Sequence, residues 1–124
     1  MLSDANFRRI LWLSALTNLG GALLFALPAW PLGQLAGLPA DVPLFYRAFV
    51  ALFVLIYAGM YAWLAMQPVI HRPMVVLAAI GKSSAFLLVL LLWLMGAASV
   101  MSLALLSADL ALAALYLAWL RRSR

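Results

Sequence analysis

Apolar residues fill this chain in four long runs, and the polar positions that interrupt them are few enough to name. Met1 to Asn6 is a short polar start, and Phe7-Arg8-Arg9 leads into a first run that reaches about Leu27, where Pro28 and Pro31 end it. The second run extends from Leu44 to Met66 and stops at Gln67-Pro68. The third opens at Pro73, behind the basic pair His71-Arg72, and continues to Met95. Gly96 and the small residues Ala97, Ala98 and Ser99 turn the chain into a fourth run, Val100 to Leu120, closed by Arg121-Arg122-Ser123-Arg124. Each run holds roughly 20 residues, the number that ~30 Å of hydrocarbon requires at 1.5 Å per residue. The pattern therefore predicts four membrane-spanning helices over about 8–27, 44–66, 73–95 and 100–120. Arginines ahead of an apolar run also resemble a signal peptide. This run exceeds the usual ~7–15-residue apolar region and no small-x-small cleavage site follows it, so a retained helix is expected.

The longest connection, 28–43, holds three prolines besides Pro28 and two glycines, which argues against another span. Leu32, Leu35 and Leu38 recur every third residue, predicting a short interfacial helix with Trp30 at headgroup depth. Asp41 is expected to cap the second span, with Pro43 in its first turn, where a missing N–H costs little.

Composition fixes the class. Of 124 residues, 69% are apolar and 9% charged, and the mean hydropathy is +1.15. A soluble domain of this length needs far more polar surface. Cysteine and glutamate are absent, and the acids are Asp4, Asp41 and Asp109, with His71 the single histidine. Thiol chemistry, iron–sulfur ligation and a carboxylate-bridged or multi-histidine metal centre within one chain are thereby excluded, and no metal or cofactor is expected. The formal charge of +5 sits at the ends of the runs, so it reports topology rather than nucleic-acid binding. Arg8, Arg9, Arg72, Arg121, Arg122 and Arg124 fall on one side, which the positive-inside rule places in the cytoplasm together with both termini. The proline-rich connection then faces outward, on the periplasmic side if the membrane is a bacterial inner one. Short loops make an antiparallel four-helix bundle the expected packing, an all-α integral membrane fold.

Counting from these anchors locates the buried polar groups. Lys82 falls ten positions after Arg72, and Asp109 twelve before Arg121. At 1.5 Å per residue they lie roughly 15 and 18 Å from the inner boundary, near mid-membrane; Asn18 and Tyr57 come to about the same depth. Ser14, Thr17, Tyr61, Ser83 and Ser84 lie close by along their helices. Ser14, Asn18 and Gly21 share one face of the first helix, and Ser102, Asp109 and Tyr116 share one face of the fourth. Lipid cannot solvate such stripes, so both should face the bundle interior. Gly81 with Ala85, and Ala104 with Ala108, have the small-xxx-small spacing of close helix contacts.

Two opposite charges at one depth should pair. Either the pair fixes which helices are neighbours, or it belongs to a site for a ligand, proton or ion. The candidate ligand-binding set is Lys82, Asp109, Arg47, Tyr57, Asn18 and Tyr61. Arg47, near the outer end of the second span, reads as a snorkelling anchor beside Tyr46 or as an anion contact or lid over the polar slab. His71 and Arg72 read as a solvated turn touching anionic lipid. Trp12, Trp30, Trp63, Trp93 and Trp119 read as interface anchors.

Leu44-Phe45-Tyr46-Arg47, Tyr57-Ala58-Gly59-Met60-Tyr61, Gln67-Pro68, Arg72-Pro73, Ala79-Ile80-Gly81-Lys82 and Asp109 ahead of Arg121 together resemble the small four-span bacterial membrane proteins grouped as DoxX-like. The resemblance covers about residues 20–122. It implies an inner-membrane bundle, sometimes an accessory to a redox or quinone-linked system, with Arg47, Lys82 and Asp109 in one interior site. Without a cysteine pair or a haem-ligating histidine pair, this chain is not expected to carry electrons itself.

Two functions follow. One is binding or transport of a small or lipid-like ligand in the polar slab, marked by a cavity that touches Lys82 and Asp109 with Tyr57 or Asn18. The other is an accessory subunit of a larger membrane complex, packing on a protein partner or on copies of itself, marked by a solid interior. An enzyme is disfavoured: Lys82, Asp109 and two tyrosines are its only acid–base groups, and no nucleophile motif or phosphate loop accompanies them.

Overall fold

The computed structural model describes residues 2–123. Five helices form, with no strand among the described residues: α1 Asp4–Ala26, α2 Pro31–Leu35, α3 Leu44–Met66, α4 Arg72–Leu94 and α5 Val100–Arg122. The four long ones are each long and apolar enough to cross a membrane, as in a multi-pass membrane protein.

The helix ends carry their own signals. α1 starts several residues earlier than the apolar run, because Ser3 caps it by accepting from the Asn6 N–H and Asp4 sits favourably in the first turn. Ser99 caps α5 in the same way, through the Ser102 N–H. Asp41 does not cap α3. Pro43 itself occupies the cap position, its carbonyl accepting from Tyr46 and Arg47, and Asp41 remains exposed in the connection. The expected interfacial helix is the single turn α2, whose Leu32 and Leu35 are exposed.

α1 packs along α3 and α4 along α5, whereas contact between these two pairs is sparse. Buried side chains recur at helical spacing on each inner face: Phe7, Leu11, Ser14 and Ala15 on α1, Ala58, Tyr61, Leu64 and Ala65 on α3, Val75, Ala78, Ala79 and Lys82 on α4, and Leu112, Ala113, Tyr116 and Trp119 on α5. The continuous core that these residues build lies toward the end of the molecule where the two termini meet.

That end is tied by arginines. Arg8 donates to the carbonyls of Ala65 (2.8 Å), Gln67 and Pro68 (3.1 Å), satisfying the close of α3, whose last carbonyls have no helical partners. Arg122 reaches the Leu2 carbonyl, and Arg72 reaches Ser123 while lying over the Trp119 ring. Arg72 is therefore a packing residue rather than part of a solvated turn. His71 is exposed and stacks on Trp63.

Trp119 also departs from expectation. Trp12, Trp30, Trp63 and Trp93 are 41–57% exposed, but Trp119 is 3% exposed. It stacks on Phe7 with centroids 4.6 Å apart and donates its Nε1–H to Asp4 (2.9 Å). A carboxylate in the first turn of α1 supplies the partner that a buried indole needs.

At the opposite end, the connection between α1 and α3 crosses to α5. The Gly37 carbonyl accepts from Ser99 Oγ (3.0 Å) and Ser102 Oγ (3.1 Å), and Gly37 has φ +75°. A Cβ at that position would also run into Ser99 Oγ.

Two outcomes are expected. Arg8→Met removes charged hydrogen bonds worth about 1.5–3 kcal/mol each. It should lower the melting temperature of the purified protein markedly, while Arg9→Met, at an exposed position, should leave it unchanged. Gly37→Ala combines a left-handed backbone penalty of about 1–2 kcal/mol with a clash. Hydrogen exchange at 99–102 should accelerate in that variant.

Candidate functional site

Helical spacing brings the polar stripes together. Lys82 follows Val75, Ala78 and Ala79 on the buried face of α4, and Asp109 lies between Leu106 and Leu112 on the inner face of α5. Lys82 Nζ donates to Asp109 Oδ1 at 2.9 Å and to Asn18 Oδ1 on α1 at 3.1 Å. It also lies 5.0 Å from the centroid of the Tyr61 ring on α3, within cation–π range. One ammonium thus touches a side chain from each of the other three long helices. Asn18 spends its amide on the Val54 carbonyl at 3.2 Å, which fixes it between α1 and α3.

The two charges differ in access. Lys82 is 4% exposed and Asp109 26%. A charged side chain at a helix centre costs about 2.5–3.5 kcal/mol on insertion scales, so the ammonium is retained only because its contacts offset that cost. Below it, Ser14 Oγ and Tyr116 Oη share a hydrogen bond that joins α1 to α5, with Tyr61 beside Tyr116.

On the other side of Lys82 the interior opens. A cleft of about 1380 Å³ runs from Lys82, Asp109, Asn18, Tyr57 and Tyr61 toward Gly37, Leu38, Ser99 and Ser102. Its walls are apolar, with Leu23, Leu24, Phe53 and Val54 from the α1–α3 pair facing Leu88, Leu92, Leu105 and Leu106 from the α4–α5 pair. Gly81 and Ala85 line this cleft, and Ala104 and Ala108 are exposed, so neither small-residue pair forms the close helix contact that its spacing suggests. A Cβ at Gly81 would stand in ordinary contact with the Tyr57 ring edge, 4.0 Å away.

Five of the six expected site residues therefore converge: Lys82, Asp109, Asn18, Tyr57 and Tyr61. Arg47 does not join them. Its Nη1 donates to the Ala26 carbonyl at 2.8 Å, closing the end of α1, and its Nε is buried without a partner. A guanidinium in the first turn of α3 meets the orphan carbonyls of the neighbouring helix before it can reach the polar slab. Among the described residues no group of three or more metal-ligating side chains exists. Ser102 was legible as part of the α5 stripe, but its bonds to the connection were not, since nothing local couples residues so far apart.

Compared with family models, curated proteins and solved structures, the chain matches none.

Removing one partner of a buried pair leaves an uncompensated charge and costs about 3–5 kcal/mol, whereas replacing both is often neutral. Lys82→Met and Asp109→Leu should each lower thermal stability more than the double variant does. A loss in the double variant equal to the sum of the two single losses would show that the two sites are uncoupled.

Proposed function

We propose that the chain is a multi-pass protein of the bacterial inner membrane, an antiparallel four-helix bundle with both termini in the cytoplasm, whose cleft binds or carries a small or lipid-like molecule. The observation that carries this reading is the cleft of about 1380 Å³ with Lys82, Asp109 and Asn18 at its polar end. Ligand pockets are typically about 300–1,000 Å³, so this one has room for a body larger than a drug-sized molecule. Orientation rests on the arginines grouped at the terminal end, by the positive-inside rule. The resemblance to DoxX-like proteins agrees with an inner-membrane bundle that has a polar interior. An accessory subunit would more naturally have a solid interior, and the open cleft weighs against it.

Gentle purification followed by native mass spectrometry tests the reading. Wild-type protein should retain a small molecule or lipid that Leu88→Trp/Leu105→Trp, which fills the cleft, loses severalfold. Equal retention by the filled variant, or co-purification of a protein subunit alone, would favour the accessory reading.

A further inference from the structure

The polar end of the cleft has a charge balance that selects among ligands. Lys82 is 4% exposed, with its ammonium engaged by Asp109, Asn18 and the Tyr61 ring, so its charge is already answered. Asp109 is the more exposed partner, and only its Oδ1 is bound by Lys82. Among the described residues no donor reaches its second oxygen, nor does the Tyr57 hydroxyl find a partner, and neither atom is sealed in the core. What the cleft offers a visitor is therefore a carboxylate oxygen and a phenol, beside an ion pair whose net charge is zero.

An anionic headgroup would bring a second negative charge next to Asp109, with Lys82 walled off behind it. A permanently cationic head would leave a surplus positive charge in low dielectric. A neutral head with a hydrogen-bond donor keeps the balance and supplies what Asp109 lacks. The walls between Leu88 and Leu105 ask for an aliphatic body. Lys82 and Leu94 are twelve positions apart on α4, which at 1.5 Å per residue allows a chain of roughly 18 Å. We propose that the cleft takes an uncharged, hydroxyl-bearing long-chain lipid, its hydroxyl donating to Asp109 and its chain lying toward Gly37 and Ser99. This inference rests on the binding reading above and narrows it to one class of ligand.

Photo-crosslinking separates the two. The protein in phosphatidylcholine nanodiscs is exposed to three sixteen-carbon probes, each with a diazirine in mid-chain: an alcohol, a sulfonate and a trimethylammonium. Labelled peptides are then mapped by mass spectrometry. The alcohol should label the Leu88 and Leu105 walls at least about tenfold more than either ion, equivalent to ~1.4 kcal/mol. Lys82→Met/Asp109→Leu, which keeps charge balance while removing the acceptor, should lose that preference. Equal or stronger labelling by the sulfonate or the ammonium would overturn the ligand class while leaving the binding reading intact. Labelling by all three no greater than in Leu88→Trp/Leu105→Trp would overturn both.

Discussion

The architecture depends on where one ammonium can be accommodated. Lys82 stands in the middle of an apolar helix, and its contacts with Asp109, Asn18 and the Tyr61 ring draw on α5, α1 and α3. The helices otherwise associate as two pairs with little between them. In lipid there is no hydrophobic gain from pressing one apolar helix on another, so polar contacts and close packing decide which helices meet. The ammonium and the Ser14–Tyr116 hydrogen bond supply those decisions at adjacent levels of the stack.

The same reasoning accounts for an interior that is solid on one side of Lys82 and open on the other. Toward the termini, aromatic rings fill the space: Phe7, Tyr61, Tyr116 and Trp119 are all nearly inaccessible. Toward the connection the lining is mostly leucines, valines, glycines and alanines, with Phe25, Trp30 and Phe53 among them, and it does not close the gap between the pairs. In a bilayer, acyl chains would wet such walls at little cost, so the gap would carry no penalty comparable to an apolar void in water.

Much of this was legible in the residues. The four long helices follow from run length, and the meeting of Lys82, Asp109 and Asn18 follows from equal depth and the cost of an isolated charge. Tyr57 was placed by the same count, with Tyr61 its neighbour along α3. What escaped were features set by the partner rather than by the local pattern. Trp119 looks like an interface anchor until Phe7 and Asp4 are seen to cover it. Arg47 has the depth of a snorkelling residue, yet the carbonyl that claims it belongs to α1. Asp41 has the chemistry of a cap and stands too far ahead of Leu44 to act as one. The early start of α1 does not show in the apolar pattern because Ser3 and Asp4 are polar, and apolar periodicity is silent about a polar helix turn.

The arginine clasp at the terminal end has one more consequence. Arg8, Arg72 and Arg122 are bound to backbone or side-chain oxygens of other segments, whereas among the described residues Arg9 and Arg121 make no such bond. On the proposed orientation, the residues whose sign would bias insertion also fasten neighbouring helices to one another. Relocating charge to invert the protein would loosen its fastenings at the same stroke. On that reading, orientation and assembly draw on the same side chains.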